Sequence, residues 1–208
     1  MRFVNSRSPG FKKPALGRLV LSGAFLLASV WLPVSAAHAQ DRAIRKEVVV
    51  DASLKEVWDA FTTDQGAKTF FAPAAKINLK LGGSYEIYFH PEHPHGTRGC
   101  EEECRIQSIV PMKSLTFTWG NEPGPGTQVL RDAGLTTIVF LDFEELSAHK
   151  TRVRFTNIGW GQGPAWDKAY DFFTQAWDIV MGSLKLRFDK GPIDWNSPPE
   201  ITESFSVK

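Results

Sequence analysis

The chain has 208 residues, with 24 Lys and Arg against 23 Asp and Glu and a formal charge of +1. The balance is uneven: residues 1–39 carry Arg2, Arg7, Lys12, Lys13 and Arg18 and no acid, so the rest holds 19 basic and 23 acidic side chains, a net of about −4. A mildly acidic domain has no net field for phosphates, which argues against nucleic acid as a partner, and 42% hydrophobic with 12% aromatic residues argues against long disorder.

Leu19 to Val34 is an apolar run broken only by Ser22, Ser29 and small or aromatic residues. It follows the basic stretch and ends at Ala37-His38-Ala39, an A-x-A pattern. Those three parts in order predict a secretory signal over residues 1–39, cut before Gln40. The n-region has no twin Arg and the cleavage point no lipid-accepting Cys. The reading is a periplasmic or extracellular protein, with no stable membrane span once the signal is removed.

Ile44 to Val50 is rich in β-branched residues and reads as a strand. Ser53 offers an N-cap, Glu56 completes a capping box, and Leu54, Val57, Trp58 and Phe61 make one helical stripe. Thr62 to Phe71 reads as a second short helix closed by Pro73. The period then changes to two. Ile77 and Leu79 alternate with polar neighbours, Gly82-Gly83 makes a turn, and Tyr85, Ile87 and Phe89 share a strand face. Residues 90–97 read as a loop, and about Arg98 to Ile109 as a strand. Leu115, Phe117 and Trp119 mark the next strand, with Thr116 and Thr118 opposite. Residues 120–134 read as a long Gly- and Pro-containing loop. Val139, Leu141 and Phe143, then Val153 and Phe155, mark two more strands. Trp166, Tyr170, Phe173, Trp177, Met181, Leu184 and Phe188 step by three or four along one long helix, opened by Gly163-Pro164 and closed by Gly191-Pro192. The domain therefore spans residues 40–190, and residues 191–208 form a Pro-containing tail, either a surface strap or disordered.

One strand, two short helices, six strands and a long helix define an α+β domain. Its antiparallel sheet covers its apolar face with the C-terminal helix, leaving a groove for a ligand. Three stretches carry a family likeness. They are Val57-Trp58-Asp59-Ala60-Phe61-Thr62-Thr63 with Gly66 and Phe71-Ala72-Pro73; Leu81-Gly82-Gly83-Ser84-Tyr85-Glu86 with Ile109-Val110-Pro111 and Leu115-Thr116-Phe117-Thr118-Trp119; and Gly159-Trp160-Gly161-Gln162-Gly163 with Trp166, Tyr170 and Trp177. Over residues 44–190 the chain resembles the START-like (SRPBCC, helix-grip) superfamily, in the branch named after the activator of the heat-shock-protein-90 ATPase. The resemblance implies a helix-grip fold, a curved sheet wrapped around the last helix, and a small apolar or amphipathic ligand between them. No catalytic motif of the superfamily matches here residue by residue, so no catalytic residue is assigned.

Alternation and helical spacing aim Tyr85, Phe89, Trp119, Phe155, Trp166, Tyr170, Phe173 and Trp177 at one interior, as ligand lining or as ordinary core. His90, His93 and His95 flank Glu92 within six residues, a set able to hold zinc or copper. Their spacing matches no strong zinc motif, and an exposed polar loop is the alternative, so neither metal nor cofactor is assigned. Cys100 and Cys104, if both lie in a strand, stand roughly 13 Å apart at ~3.3 Å per residue, beyond the ~7 Å reach of a disulfide. That favours free thiols, while a loop at Cys100 would allow a small disulfide ring. In the same strand Glu101 and Glu103 face outward, where Arg105, Arg152 and Arg154 could pair with them or with neighbours. Glu102 faces inward between the cysteines, where a buried carboxylate could act as acid or base. The glycines around Trp160 and residues 120–134 are expected to form the pocket's two rims. The leading reading is a non-enzymatic pocket protein. A lyase, cyclase or hydrolase using Glu102 or a His, and a protein-interaction module, are the alternatives.

Overall fold

The computed structural model describes residues 42–95, 100–120 and 126–207. The expected signal, residues 1–39, and its cleavage point lie outside them. Strand β1 (Ile44–Val50) comes first. Helix α1 (Leu54–Thr62) starts at Ser53, whose hydroxyl accepts from the Glu56 N–H while the Glu56 carboxylate accepts from the Ser53 N–H. Val57, Trp58 and Phe61 are buried, as the stripe requires. Helix α2 (Asp64–Lys68) is shorter than the sequence suggested, and Thr63 caps it at the Gly66 N–H. A side chain at Gly66 would collide with the α1 backbone at Asp59, so glycine there lets the two helices meet.

Strands β2 (Ala74–Ile77) and β3 (Tyr85–Tyr88) form a hairpin. Strands β4 (Ile106–Val110), β5 (Ser114–Trp119), β6 (Thr137–Ser147) and β7 (Lys150–Ile158) build an antiparallel sheet with β1, in the order β1-β7-β6-β5-β4. The hairpin continues that sheet. Tyr85 N–H donates to Cys104 C=O and Ile106 N–H to Gly83 C=O, both at 2.9 Å. The six strands after the first two helices match the sequence reading, as does the burial of Leu115, Phe117, Trp119, Val139, Leu141, Phe143, Val153 and Phe155.

Two short helices depart from it. Cys100–Glu103 is a helical turn (α3), not part of a strand, and β4 begins only at Ile106. The expected loop over 120–134 contains helix α4 (Gln128–Ala133), stopped by Gly134 in the left-handed conformation.

Helix α5 (Pro164–Lys190) lies along the sheet with Ala169, Phe173, Trp177, Val180, Met181 and Leu184 buried. Asn157, fully buried on β7, ties it down. Its amide donates to the Ile138 C=O at 3.1 Å, and its carbonyl accepts from Trp177 Nε1 at 3.2 Å. Among the described residues no helix is long and apolar enough to cross a membrane.

The tail is the strap of the two alternatives. Ile193 N–H and Trp195 Nε1 donate to the carbonyls of Thr69 and Lys68. Further on, Glu47 N–H donates to Phe205 C=O and Val207 N–H to Arg45 C=O, so the strap runs antiparallel along the free edge of β1. A side chain at Gly182 would strike Ile201, so this mid-helix glycine lets the strap close onto α5. Lys46 occupies an inward position of β1, between Ile44 and Val48, with no exposed surface. Its ammonium meets Asp178 of α5 at 2.7 Å and the Ser206 hydroxyl at 2.8 Å. Asp178 also accepts from the Phe205 N–H at 2.8 Å.

Removing one partner strands a buried charge. Asp178→Ala is expected to lower unfolding free energy by about 3–5 kcal/mol in a denaturant titration. Replacing both partners, Lys46→Met with Asp178→Leu, should recover most of that. A single-variant loss under about 1 kcal/mol, the size of an exposed pair, would show that the clasp does not hold the helix.

Candidate functional site: an aromatic cavity beside the long helix

A cavity of about 440 Å³ opens between α5 and the end of the sheet. Its inner wall is a set of rings. Phe71, just after α2, lies 5.6 Å from Trp119 and 6.0 Å from Trp177, centroid to centroid. Trp119 lies 5.2 Å from Trp177 and meets Phe89 edge-on at 6.2 Å. Helix α5 supplies the opposite side with Phe172, Ala176, Ile179 and Ser183, a stripe stepping by four, three and four beside the one that packs on the sheet. Phe172 and Ile179 are 44% and 51% exposed, so the apolar lining reaches the surface at the mouth. Polar groups gather at one side, where His90 and His93 of the turn after β3 and buried Glu101 of α3 join the wall. Thr127 and Trp195 of the strap complete it.

Four of the eight expected lining residues stand in this wall: Phe89, Trp119, Phe173 and Trp177. The other four are engaged elsewhere. Tyr85 stacks on Phe117 at 4.1 Å and donates its hydroxyl to the Phe61 C=O, and burial pushes its phenol well above the ordinary range. Phe155 lies behind Trp177 at 4.3 Å, part of the core. Trp166 covers Gly161, leaving no room there for a side chain. Tyr170 donates to the Ala43 C=O and carries the Arg42 guanidinium 4.3 Å above its ring. The expected rim around Trp160 is likewise displaced, since Trp160 packs on Tyr170 and Phe173. The other rim is represented by Thr127, while residues 121–125 lie outside the described ones.

Phe70, Phe71, Phe172, Ile179 and Trp195 were missed. The second α5 stripe was readable in the spacing. Phe71 and Trp195 carry no periodic signal, because tertiary packing alone brings them here.

The acidic run and the cysteines also need correction. Because residues 100–103 form a helical turn, the strand alternation does not apply. Glu101 is the buried acid at 5% exposure, and Glu102 is largely covered and accepts a contact from His95 Nδ1 at 2.5 Å. Arg152 and Arg154 take the neighbouring acids of the two alternatives and pair with Glu47 and Glu144. Hydrogen bonding from Arg152, the leading cause, with Arg154 beside it, holds the Glu144 carboxyl below its usual range. Cys104 is buried and disulfide-bonded in a chain with two cysteines, which overturns the expectation of free thiols. A helical turn brings positions four apart to within roughly 5–6 Å, where a strand would hold them out of reach.

His90 and His93 come together with Glu92, with one ligand atom from each within 4.8 Å of the others. His95, the third imidazole of the expected set, is drawn away to Glu102.

A curved, unclosed antiparallel sheet against one long C-terminal helix, with a cavity between them, is the helix-grip arrangement of START-like domains. The chain belongs to the family described as Activator of Hsp90 ATPase homolog 1-like protein, whose model matches residues 51–189. Its fold is similar to that of a protein from Mesorhizobium loti (17% identity, 73% of this chain and 100% of that one, TM-score 0.54). It is also similar to the Aha1 dimer from Colwellia psychrerythraea (20% identity, 72% and 98%, TM-score 0.54). A protein from Staphylococcus saprophyticus shares the fold as well (17% identity, 74% and 96%, TM-score 0.52). No curated protein matches the chain.

The bonded Cys104 gives a direct check. Alkylation of the denatured, unreduced chain is expected to add no label, and alkylation after reduction to add one at each of its two cysteines. Two labels without reductant would restore the free-thiol reading.

Proposed function

We propose that the domain binds a small apolar or amphipathic molecule in the cavity beside α5, outside the cytoplasm. The observation that carries this reading is the wall itself: Phe71, Phe89, Trp119 and Trp177 face one space of about 440 Å³. Ligand sites commonly occupy roughly 300–1,000 Å³ and combine apolar lining with a few polar groups. Removing apolar surface from water supplies roughly 25 cal/mol per Å², and the rings offer large faces for it. The polar side with His90, His93 and Glu101 favours a ligand with a polar head over a pure hydrocarbon.

The basic, apolar and A-x-A segments of residues 1–39 support export, and the disulfide at Cys104 fits an oxidising compartment. A pocket enzyme of the lyase, cyclase or hydrolase type is the second reading. What favours it is Glu101, a buried acid on the cavity wall, in place of the Glu102 expected from the sequence.

Three tryptophans line the cavity, Trp119, Trp177 and Trp195, so occupancy should change tryptophan emission. An apolar fluorescent probe is expected to bind saturably. Ala176→Phe, which fills the cavity from a half-buried helix position, should weaken it at least about tenfold, the equivalent of ~1.4 kcal/mol. Unchanged probe affinity in a folded Ala176→Phe chain would remove the cavity as the site. Native mass spectrometry of the exported protein should show a chain starting at Gln40 with a small molecule attached. Retention of residues 1–39 would end the export reading.

A further inference from the structure

We propose that His90, Glu92 and His93 form a binding site for one divalent cation of the zinc class at the mouth of the cavity. The inference stands apart from the nature of the cavity's ligand.

The local sequence His90-Pro91-Glu92-His93 builds the site. His93 N–H donates to the His90 C=O at 3.0 Å and closes a turn. Pro91 stands at the second position, where its fixed backbone angle suits a turn. The turn brings the first and fourth side chains together, and the two imidazoles stack with centroids 4.8 Å apart and planes 20° from parallel. Glu92 reaches both rings, with Oε1 3.2 Å from His90 Nδ1 and 3.9 Å from His93 Nε2. A zinc ion bound tetrahedrally at ~2.0–2.1 Å holds its donors roughly 3.3 Å apart. The three donors stand within 4.8 Å of one another, so small rotations of exposed side chains bring them to that spacing.

The donor set also fits. Two imidazoles and one carboxylate are neutral and anionic ligands of the kind that hold catalytic zinc, with a fourth position left open. His90 and His93 are themselves part of the cavity wall, so that open position borders the cavity. His95 is excluded from the set by its contact with Glu102. The site is therefore two His and one Glu, not the three-His loop that the sequence suggested.

The test is a titration of tag-free, chelator-treated protein with Co²⁺, followed by displacement with Zn²⁺. One Co²⁺ per chain is expected, with visible ligand-field bands that Zn²⁺ abolishes. His90→Asn and His93→Asn should each weaken binding by about 10–100-fold, and Glu92→Gln by less. His95→Asn and His149→Asn should leave it within twofold. The substituted side chains are exposed, and circular dichroism with thermal unfolding verifies that the variants fold. Lack of saturable binding overturns the site, and so does binding that survives His90→Asn with His93→Asn. Probe binding to the metal-free chain reports on the cavity separately. A chain that binds probe but no metal loses this site alone, and one that binds metal but no probe loses the ligand reading alone.

Discussion

A lysine on the inward face of the first strand constrains the whole domain. Lys46 follows the alternation that buries Ile44, Val48 and Val50, so its ammonium enters the interior with them. A charge there is tolerable only where partners replace water. Asp178 supplies the opposite charge from α5, and Ser206 supplies a hydroxyl from the strap. Asp178 in turn takes the Phe205 N–H, so three chain segments converge on two side chains. Turning α5 about its axis, or sliding the strap along β1, would leave that ammonium unpaired. A fixed rotation of α5 is what allows one of its stripes to pack on the sheet and the next to face the cavity.

The cavity follows from that division of the helix. Phe173 and Trp177 are shared, packing on the sheet and forming the cavity's inner wall. The neighbouring stripe at Phe172, Ala176, Ile179 and Ser183 lines the cavity. Asn157 keeps Trp177 in place by accepting its indole N–H. Trp119 and Trp177 are therefore held in place by core packing, which reduces the ordering cost of binding.

Much of this was legible because it is periodic. The capping box of Ser53 and Glu56, the alternation of β5 to β7 and the stripe of α5 all appear in the structure where their spacing placed them. The misses share a cause. Helix α3 has four residues and α4 six, too few for a period to register, and tertiary contacts decide their conformation. Treating Cys100 to Cys104 as a strand then put Glu101 on the outer face, where the structure buries it, and set the cysteines too far apart. Of the ring positions, alternation identified inward faces correctly for Tyr85 and Phe155. An inward face can end in core or in cavity, and only packing distinguishes the two. Phe71 and Trp195 came from connecting segments, where no periodicity exists to read.

The strap along β1 has a consequence for the order of folding. Lys46 and Ser206 are 160 positions apart, and the outermost strand of the sheet lies between β7 and the last described residues. Strand β1 has one neighbour in β7 (Lys150–Ile158) and the other only in the strap, where Lys46 faces Ser206. Contacts of such large sequence separation carry a high loop-closure entropy and form slowly. The first strand is therefore among the last to be fixed in the sheet.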